Sequence, residues 1–223
     1  MSQKLREILD QENEGITTVG VETITDTHLR ADLAVDDLLC DGYKSVYLAV
    51  AAHKGIELGI PGEKAEGVRQ GVDFLREVNL TGKADVGESV AIIGGGNVAI
   101  DVSRSAIRLG AKEVSIIYRR TRAEMPAWEE EIVAAESEGV MLTYLAAPQE
   151  VLTRDGSIVG LRCIRMELGE PDSSGRRRPV PIPGSEYDIE IDQLIPAIGQ
   201  QPDLSAIENV AGLKFSRWGT TEV

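Results

Sequence analysis

The 223-residue sequence contains only two cysteines, Cys40 and Cys163, and they are far apart in the chain. Because there is no Cys-x-x-Cys pair, a disulfide-bonded scaffold and a cysteine-rich zinc or iron–sulfur site are both excluded. The two histidines, His28 and His53, share no metal-ligand spacing with each other or with a pair of carboxylates. The sequence therefore predicts no metal site, and we expect both cysteines to act as small apolar side chains.

Positive charge is also scarce, since 23 Lys and Arg stand against 37 Asp and Glu and the formal net charge is −14. Nucleic acids and anionic membrane surfaces bind basic protein faces, so this balance argues against both as partners. No apolar run approaches the roughly 20 residues that span a bilayer. The first ten residues lack the apolar segment of a signal peptide. These absences favour a cytoplasmic protein.

Aromatic residues make up only 4% of the chain, whereas the hydrophobic residues as a whole make up 42%. The core must therefore consist mainly of Val, Ile, Leu and Ala, which is typical of parallel sheets buried on both faces. Between positions 89 and 145, strand and helix patterns alternate. The predicted elements are Ser89–Ile93, Asn97–Leu109, Glu113–Tyr118, Trp128–Glu138 and Val140–Leu145. This alternation predicts an α/β fold with parallel strands and right-handed crossovers.

The segments on either side have a different character. Before residue 89 the periodicity predicts helices at Leu5–Gln11, Leu29–Leu39 and Gly71–Leu80, and strands at Thr17–Thr23 and Ser45–Ala52. The second of these strands is apolar throughout, as expected of a strand buried on both faces.

After Pro148 the pattern predicts an antiparallel β-meander. Strands at Glu150–Thr153 and Ile158–Leu168 flank Asp155-Gly156, a strong hairpin signal. A polar loop over Gly169–Arg178 follows, with an exposed tip at Arg176-Arg177-Arg178. The remaining predictions are an antiparallel strand pair within Pro179–Ile191 and a last apolar strand at Leu194–Ile198.

The sharpest motif is residues 94–99, Gly-Gly-Gly-Asn-Val-Ala, which match G-x-G-x-x-G/A between a strand and a helix. In this dinucleotide-binding fingerprint Gly94 permits the tight turn, Gly96 lets the backbone approach a pyrophosphate, and Ala99 lets helix and strand pack closely. The free N–H groups and the positive end of the following helix face the phosphates. Asn97 is also suited to cap that helix. The alternative interpretation is an ordinary glycine turn.

The residues at the end of the second strand of the predicted parallel sheet indicate whether such a site binds NAD or NADP. An NAD site usually places an acid there, about 20 residues after the glycines, to bind the ribose 2′-hydroxyl. This chain instead has Arg119, Arg120 and Arg122. Guanidinium groups present planar donor pairs that suit a 2′-phosphate, so we expect NADP to be the cofactor. The alternative is a solvated basic turn.

Four segments in order resemble one family: Leu58–Glu63, Ile92–Arg104, Tyr118–Ala127 and Ala197–Asp203. They are similar to the small (beta) subunit of glutamate synthase and to related flavoprotein subunits of ferredoxin–NADP transhydrogenases, with adrenodoxin reductase as a more distant relative. These proteins have two dinucleotide-binding domains, bind FAD and NADPH, and pass electrons toward iron–sulfur clusters. The resemblance extends over essentially the whole chain.

The resemblance implies that this chain is a portion of a larger flavoprotein. Residues 1–85 correspond to a partial FAD-domain segment and linker, residues 86–193 to the Rossmann-like NAD(P)H-binding domain, and residues 194–223 to a return segment into the truncated FAD domain. The FAD fingerprint and the flavin-holding Gly-Gly-Asp segment of the family are not found, so FAD is expected in the parent protein and not on this chain alone. Ala51 stands where the family usually has glycine.

The resemblance also implies roles for individual residues. The pyrophosphate contacts would come from Gly95, Gly96, Asn97 and Val98, and the 2′-phosphate contacts from Arg119 and Arg120. Glu131 matches an acid on the nicotinamide side, although an acid in the first turn of a helix also complements the helix dipole. Gly199 would lie near the nicotinamide pocket. Outside the site, we expect Asp101, Arg104 and Arg108 to form ion pairs along one solvated helix face.

The resulting hypothesis is an NADPH-binding module of a flavin-dependent oxidoreductase, which passes hydride from NADPH to FAD and onward to iron–sulfur or other acceptors. No acid or base is required, so no catalytic side chain is assigned. An iron–sulfur protein or a large catalytic subunit is the expected partner. The alternatives are a stand-alone dinucleotide-sensing module without catalysis and an NADH-linked ferredoxin transhydrogenase subunit.

Overall fold

The computed structural model describes residues 3–29, 32–171, 175–205, 207, 210, 212–216 and 220. The chain divides into a larger compact unit, His53–Gln201, and a smaller one made of Met1–Ala52 and Pro202–Val223. Within the described residues, no helix is both long enough and apolar enough to cross a membrane.

The α-helices, in chain order, are α1 (Gln3–Thr18), α2 (Val35–Cys40), α3 (Gly71–Thr81), α4 (Asn97–Leu109) and α5 (Glu129–Ser137). The first five strands are β1 (Ala52–Gly55), β2 (Ser89–Ile93), β3 (Glu113–Tyr118), β4 (Met141–Tyr144) and β5 (Ala146–Arg154). The last five are β6 (Ser157–Pro171), β7 (Arg177–Pro181), β8 (Tyr187–Ile189), β9 (Gln193–Pro196) and β10 (Gln200–Pro202). A short 3-10 helix spans Arg122–Glu124, and β1 pairs with β10.

A four-stranded parallel sheet in the order β4-β3-β2-β9 forms the centre of the larger unit. Its residues alternate between two cores. Ile92 and Ile116 pack against α3, α4 and α5 on one side, whereas Ile93 and Leu194 pack against the antiparallel strands on the other. This arrangement confirms the predicted α/β fold, because strands that are buried on both faces are apolar throughout.

The antiparallel part of this unit consists of β5, β6 and β7, with β8 also paired to β6. The hairpin prediction is confirmed, since Asp155 and Gly156 have φ values of 53° and 89° and connect β5 to β6. This pair of positive φ angles suits the type I′ turn of a hairpin. The predicted pairing within Pro179–Ile191 is wrong. At 15 residues, β6 is long enough for β8 and β7 to pair with successive stretches of it.

Strands of the structure reach across two boundaries that the sequence predicts. The predicted domain boundary at 193/194 falls inside β9, which pairs in parallel with β2 from Val90 to Ile93. Leu194 and Ile195 are fully buried on opposite faces of the sheet, which holds this strand in the larger unit. The predicted polar loop over Gly169–Arg178 is shorter, because β6 continues to Pro171 and β7 begins at Arg177.

The smaller unit departs most from the prediction. Helix α1 continues to Thr18, so the strand predicted at Thr17–Thr23 is wrong. Residues 30 and 31 of the helix predicted at Leu29–Leu39 lie outside the described residues, and the helix seen in this region is α2. Residues 45–51 form no strand, and the described part of the chain provides no strand that pairs with them. A buried strand needs hydrogen-bonding neighbours, and without them this apolar run stays irregular. Ala51 has a φ of 52°, in the left-handed region that favours glycine.

Candidate functional site

A cavity of about 580 Å³ opens at the carboxyl ends of β2, β3 and β9, within the larger unit. In the sheet, β3 lies on one side of β2 and β9 on the other, so the strand order reverses at β2. In open α/β sheets, ligands bind at such a switch point, outside the carboxyl ends of the strands. The cavity volume is within the range of small-molecule and cofactor sites.

The glycine turn between β2 and α4 forms one wall of the cavity. Gly94 has a φ of 154°, and a Cβ there would lie 2.4 Å from the carbonyl oxygen of Ala197. A Cβ on Gly95 would lie 2.5 Å from the ring of Tyr118. Packing within the protein therefore requires glycine at both positions.

Gly96 differs from its two neighbours. A Cβ at this position would have Pro126 Cγ, 3.9 Å away, as its nearest protein atom. The backbone is extended, with φ −94° and ψ 176°, which any residue adopts. Neither packing nor conformation requires glycine here, yet the residue lines the cavity. Its small size leaves room for a ligand to approach the backbone closely.

Helix α4 begins beside this turn and points its N-terminus at the cavity. Gly96 is the capping residue, so the cap predicted for Asn97 is wrong. The Oδ1 atom of Asn97 instead accepts a hydrogen bond from the backbone N–H of Trp128 at 3.1 Å. The N–H of Ala127 donates to the carbonyl oxygen of Gly95 at 3.1 Å. These two bonds hold the segment before α5 against the glycine turn.

Of the residues that the sequence proposed as nucleotide contacts, eight line the cavity: Gly94, Gly95, Gly96, Asn97, Val98, Arg119, Arg120 and Gly199. Ala99 is fully buried behind them, as its predicted role in helix–strand packing requires. Gly199 has a φ of 145°, and its carbonyl oxygen accepts a hydrogen bond from the N–H of Ile56 at 3.2 Å.

Arg122 and Glu131 are directed elsewhere. Arg122 forms ion pairs with Glu129 at 2.8 Å and Glu136 at 2.7 Å, and these carboxylates raise the pKa of its guanidinium. Glu131, in the first turn of α5, pairs with Arg104 of α4. Neither residue is among those that line the cavity.

The ion pairs of α4 also differ from those expected. Arg104 and Arg108 both bind Glu138, at 2.8 and 2.7 Å, instead of the expected Asp101. The hydrogen bond from Arg104 holds the pKa of Glu138 below its ordinary value. Burial, reinforced by Glu131, raises the pKa of Asp101. These contacts join α4 to α5 and lie outside the cavity lining.

The charged residues that line the cavity are all arginines among the described residues: Arg119, Arg120 and Arg176. Arg176 was expected at an exposed loop tip, and its place at this cavity was missed. The only sequence signal was its membership of a three-arginine run in a chain of net charge −14. The apolar wall was also missed, although Leu58 and Ile60, which are part of it, belong to a segment that carried the family resemblance.

The sequence matches known proteins over nearly its whole length. A family model described as pyridine nucleotide-disulphide oxidoreductase matches residues 3–223. The NADPH-Fe(3+) oxidoreductase subunit beta of Geobacter sulfurreducens is 42% identical over 219 residues, which are 96% of this chain and 32% of the relative. The NADP(+)-dependent formate dehydrogenase subunit beta of Moorella thermoacetica is 46% identical over 221 residues, covering 98% and 31%.

The resemblance to glutamate synthase small chains is confirmed. That of Halomonas elongata is 33% identical over 222 residues, covering 95% of this chain and 47% of the relative. This chain thus spans about half the length of that protein and about a third of the two subunits above.

Solved structures support the fold. FprA of Mycobacterium tuberculosis, in complex with NADPH, aligns with a TM-score of 0.66 at 19% identity, over 81% of this chain and 54% of that one. The thioredoxin reductase of T. acidophilum aligns with a TM-score of 0.52 at 17% identity, over 77% and 49%. Because the family model covers nearly all of the sequence and the fold agrees, this chain belongs to the pyridine nucleotide-disulphide oxidoreductase family.

Proposed function

We propose that this chain is the NADPH-binding module of a flavin-dependent oxidoreductase. One observation carries the proposal: Gly96 and arginines line the same cavity, although packing within the protein does not require a glycine at position 96. The named relatives support the choice of cofactor, since their names specify NADPH or NADP(+).

The residues present fit a dinucleotide phosphate. Gly96 leaves the backbone open, and the N-terminus of α4 brings the N–H groups of its first residues and the positive end of the helix dipole to the same point. A pyrophosphate at this position would accept hydrogen bonds from those N–H groups. The arginines, with no acid among the described cavity-lining residues, favour a 2′-phosphate over a ribose hydroxyl.

The task of these residues is to bind and orient the nucleotide. Gly95, Gly96 and Asn97 hold the pyrophosphate, Arg119 holds the 2′-phosphate, and the apolar wall excludes water from the cavity. FAD, bound mainly by other parts of a longer protein, supplies the hydride acceptor. No side chain of this chain needs to exchange a proton, and we assign no catalytic residue.

Substitution of Gly96 tests the phosphate cradle. We expect Gly96→Ala to lower the free energy of unfolding by no more than about 1 kcal/mol, because the site is uncrowded but alanine caps a helix less well than glycine. The same change should weaken NADPH binding at least about tenfold, since the methyl group occupies the space of the pyrophosphate. Calorimetric titration and urea unfolding measure the two quantities. Gly15→Ala, a glycine of α1 with no atom near its Cβ, is the matched control.

Titration with NADH tests the cofactor preference. We expect the wild type to bind NADPH at least about tenfold more tightly than NADH, equivalent to about 1.4 kcal/mol, and Arg119→Ala to remove most of the difference. Equal binding of NADH would overturn the NADPH assignment. Unchanged NADPH binding by Gly96→Ala would overturn the placement of the pyrophosphate.

The electron acceptor belongs to the same proposal. The relatives named as subunits of larger enzymes support a partner subunit, and we propose an iron–sulfur protein or a large catalytic subunit as the acceptor. The test is NADPH-dependent reduction of a viologen dye by a longer protein that contains this sequence and FAD. Nucleotide binding without dye reduction would favour a sensing module.

A further inference from the structure

We propose that Arg176, between β6 and β7, is a specificity-determining residue that binds the 2′-phosphate of NADPH together with Arg119. This inference rests on the proposed function and adds a second phosphate ligand from a different part of the fold. Arg119 follows β3 of the parallel sheet, whereas Arg176 precedes β7 of the antiparallel sheet, and both line the same cavity.

The neighbouring Arg120 has a different position. Arg119 is exposed, but Arg120, next along the chain, is only 6% exposed. The Nε–H of Arg120 donates to the carbonyl oxygen of Arg177 at 2.7 Å. Part of the Arg120 guanidinium is therefore used to connect the end of β3 to the start of β7. Arg120 thereby acts as a positioning residue for the segment that carries Arg176.

Arg177 fixes the same segment from the other side. Its guanidinium donates to the carbonyl oxygens of Gly169 at 3.1 Å and Leu168 at 2.5 Å, both on β6. The backbone next to Arg176 is thus held by one bond to Arg120 and two to β6. A charge on a fixed segment loses less conformational entropy on binding than one on a free loop, which favours its use as a ligand.

The local charges also favour an anion. Among the described residues, no acid lines the cavity. Glu124 lines an adjoining hollow together with Arg176. Its Oε2 accepts hydrogen bonds from the N–H of Thr121 at 3.0 Å and from the Thr121 hydroxyl at 2.5 Å. That carboxylate is bound within its own backbone turn. Guanidinium groups such as those of Arg119 and Arg176 donate the charge-assisted hydrogen bonds that suit a phosphate dianion.

Binding of two cofactors to three variants tests the inference. The 223-residue chain and its Arg176→Ala, Arg119→Ala and Arg178→Ala variants are titrated with NADPH and, separately, with NADH. Arg178→Ala is the matched control, because it removes the same charge from an exposed residue of β7 that does not line the cavity. We expect Arg176→Ala to weaken NADPH binding about tenfold, as for one charge-assisted hydrogen bond, with NADH binding unchanged.

The outcomes separate this inference from the proposed function. If the wild type prefers NADPH and Arg119→Ala reduces that preference, but Arg176→Ala does not, only the role of Arg176 is overturned. That role is also overturned if Arg176→Ala weakens the binding of NADPH and of NADH equally, or if Arg178→Ala has the same effect as Arg176→Ala. In either case the loss of affinity would not come from a specific contact with the 2′-phosphate. A wild type without preference for NADPH overturns the proposed function itself. In competition titrations, Arg176→Ala should also weaken the binding of adenosine 2′-phosphate. It should leave the binding of adenosine 5′-phosphate unchanged.

Discussion

The two units of the chain differ most in what surrounds their apolar side chains. In the unit His53–Gln201, the strands of the parallel sheet are covered on one face by helices and on the other by antiparallel strands. In the other unit, Tyr47 is 92% exposed and Val19 is 80% exposed. The described residues of this unit that are buried and apolar are Val35 and Ile207.

The folding free energy therefore resides mainly in the larger unit. Burial of an apolar side chain contributes about 1.5 to 3 kcal/mol, so a unit with two layers of buried side chains has far more to lose by mutation. The described residues of the smaller unit include few buried apolar side chains, so its backbone conformation is held by fewer packing contacts. Three predictions test this contrast and a fourth tests ion pairs within the larger unit; they follow in order of decreasing effect.

Truncation of a core side chain should distinguish the units most clearly. Ile116 is fully buried at the centre of β3, and we expect Ile116→Ala to lower the free energy of unfolding by about 3 kcal/mol. Tyr47→Ala, in the smaller unit, should change it by no more than about 0.5 kcal/mol. Urea unfolding measures both. Similar losses for the two variants would contradict the contrast.

The two cysteines offer a chemical version of the same comparison. Burial raises the pKa of the Cys163 thiol to about 12, whereas Cys40, at the end of α2, is exposed. At pH 8 the Cys163 thiol therefore stays almost entirely un-ionised, and the thiolate is the reactive form. We expect a disulfide reagent to modify Cys40 at least about a hundredfold faster. Cys40→Ser should remove the fast phase, and fast modification of Cys163 would show that its surroundings open.

The ion pairs between α4 and α5 predict a pH-dependent effect within the larger unit. Arg104 and Arg108 lower the pKa of Glu138, so the stability from this pair is present above its ordinary value of 4.5 and is lost as pH falls through the lowered pKa. We expect Glu138→Gln to cost about 1.5 kcal/mol at pH 7, where the wild-type carboxylate is charged.

The difference between wild type and Glu138→Gln should shrink as the pH falls below 4.5. Denaturant unfolding at a series of pH values measures it. Glu130→Gln, at an exposed residue in the first turn of α5, serves as the control for a simple loss of charge. A cost of Glu138→Gln that is independent of pH would contradict the assigned pairs.

The smallest expected effect concerns Ala51. A left-handed backbone conformation costs a non-glycine residue about 1 to 2 kcal/mol, which glycine avoids. Part of this gain is lost again, because glycine makes the unfolded chain more flexible and so stabilises the unfolded state. We expect Ala51→Gly to stabilise the smaller unit by about 0.5 kcal/mol. The control is Ala52→Gly, at the first residue of β1, which should give no such stabilisation. Hydrogen exchange measures the change. Destabilisation by Ala51→Gly would contradict the assigned conformation.

The sequence predicted those elements whose signals are local. The strand, helix and strand from Ser89 to Tyr118 agree with the structure, because a buried apolar run and a glycine turn lie within one short segment. Gly110, with a φ of 109°, ends the helix in the same segment. The hairpin at Asp155-Gly156 is predictable for the same reason. The run at Ser45–Ala52 has an equally apolar pattern, but a strand also requires a neighbour, which its own sequence does not specify.

The residues of the candidate site were likewise predictable where their signals are local in the sequence. Residues close to the glycine fingerprint, together with Arg119 and Arg120, line the cavity as expected. Arg122 and Glu131 lie elsewhere because oppositely charged partners on neighbouring helices bind them. Arg176 could not be placed from sequence, since its position depends on the length of β6 and on the bond from Arg120 to the carbonyl of Arg177.

The position of β9 has a consequence for the order of events during synthesis. Gly87 donates to the side chain of Gln193 at 3.1 Å, although the two residues are 106 positions apart. The glycine turn therefore leaves the ribosome well before the residues at the carboxyl end of β9 that complete its cavity. Contacts of such long range slow folding. A nucleotide would thus stabilise only a chain that has been synthesised past β9, and the late pairing of β9 with β2 would set the moment at which binding begins.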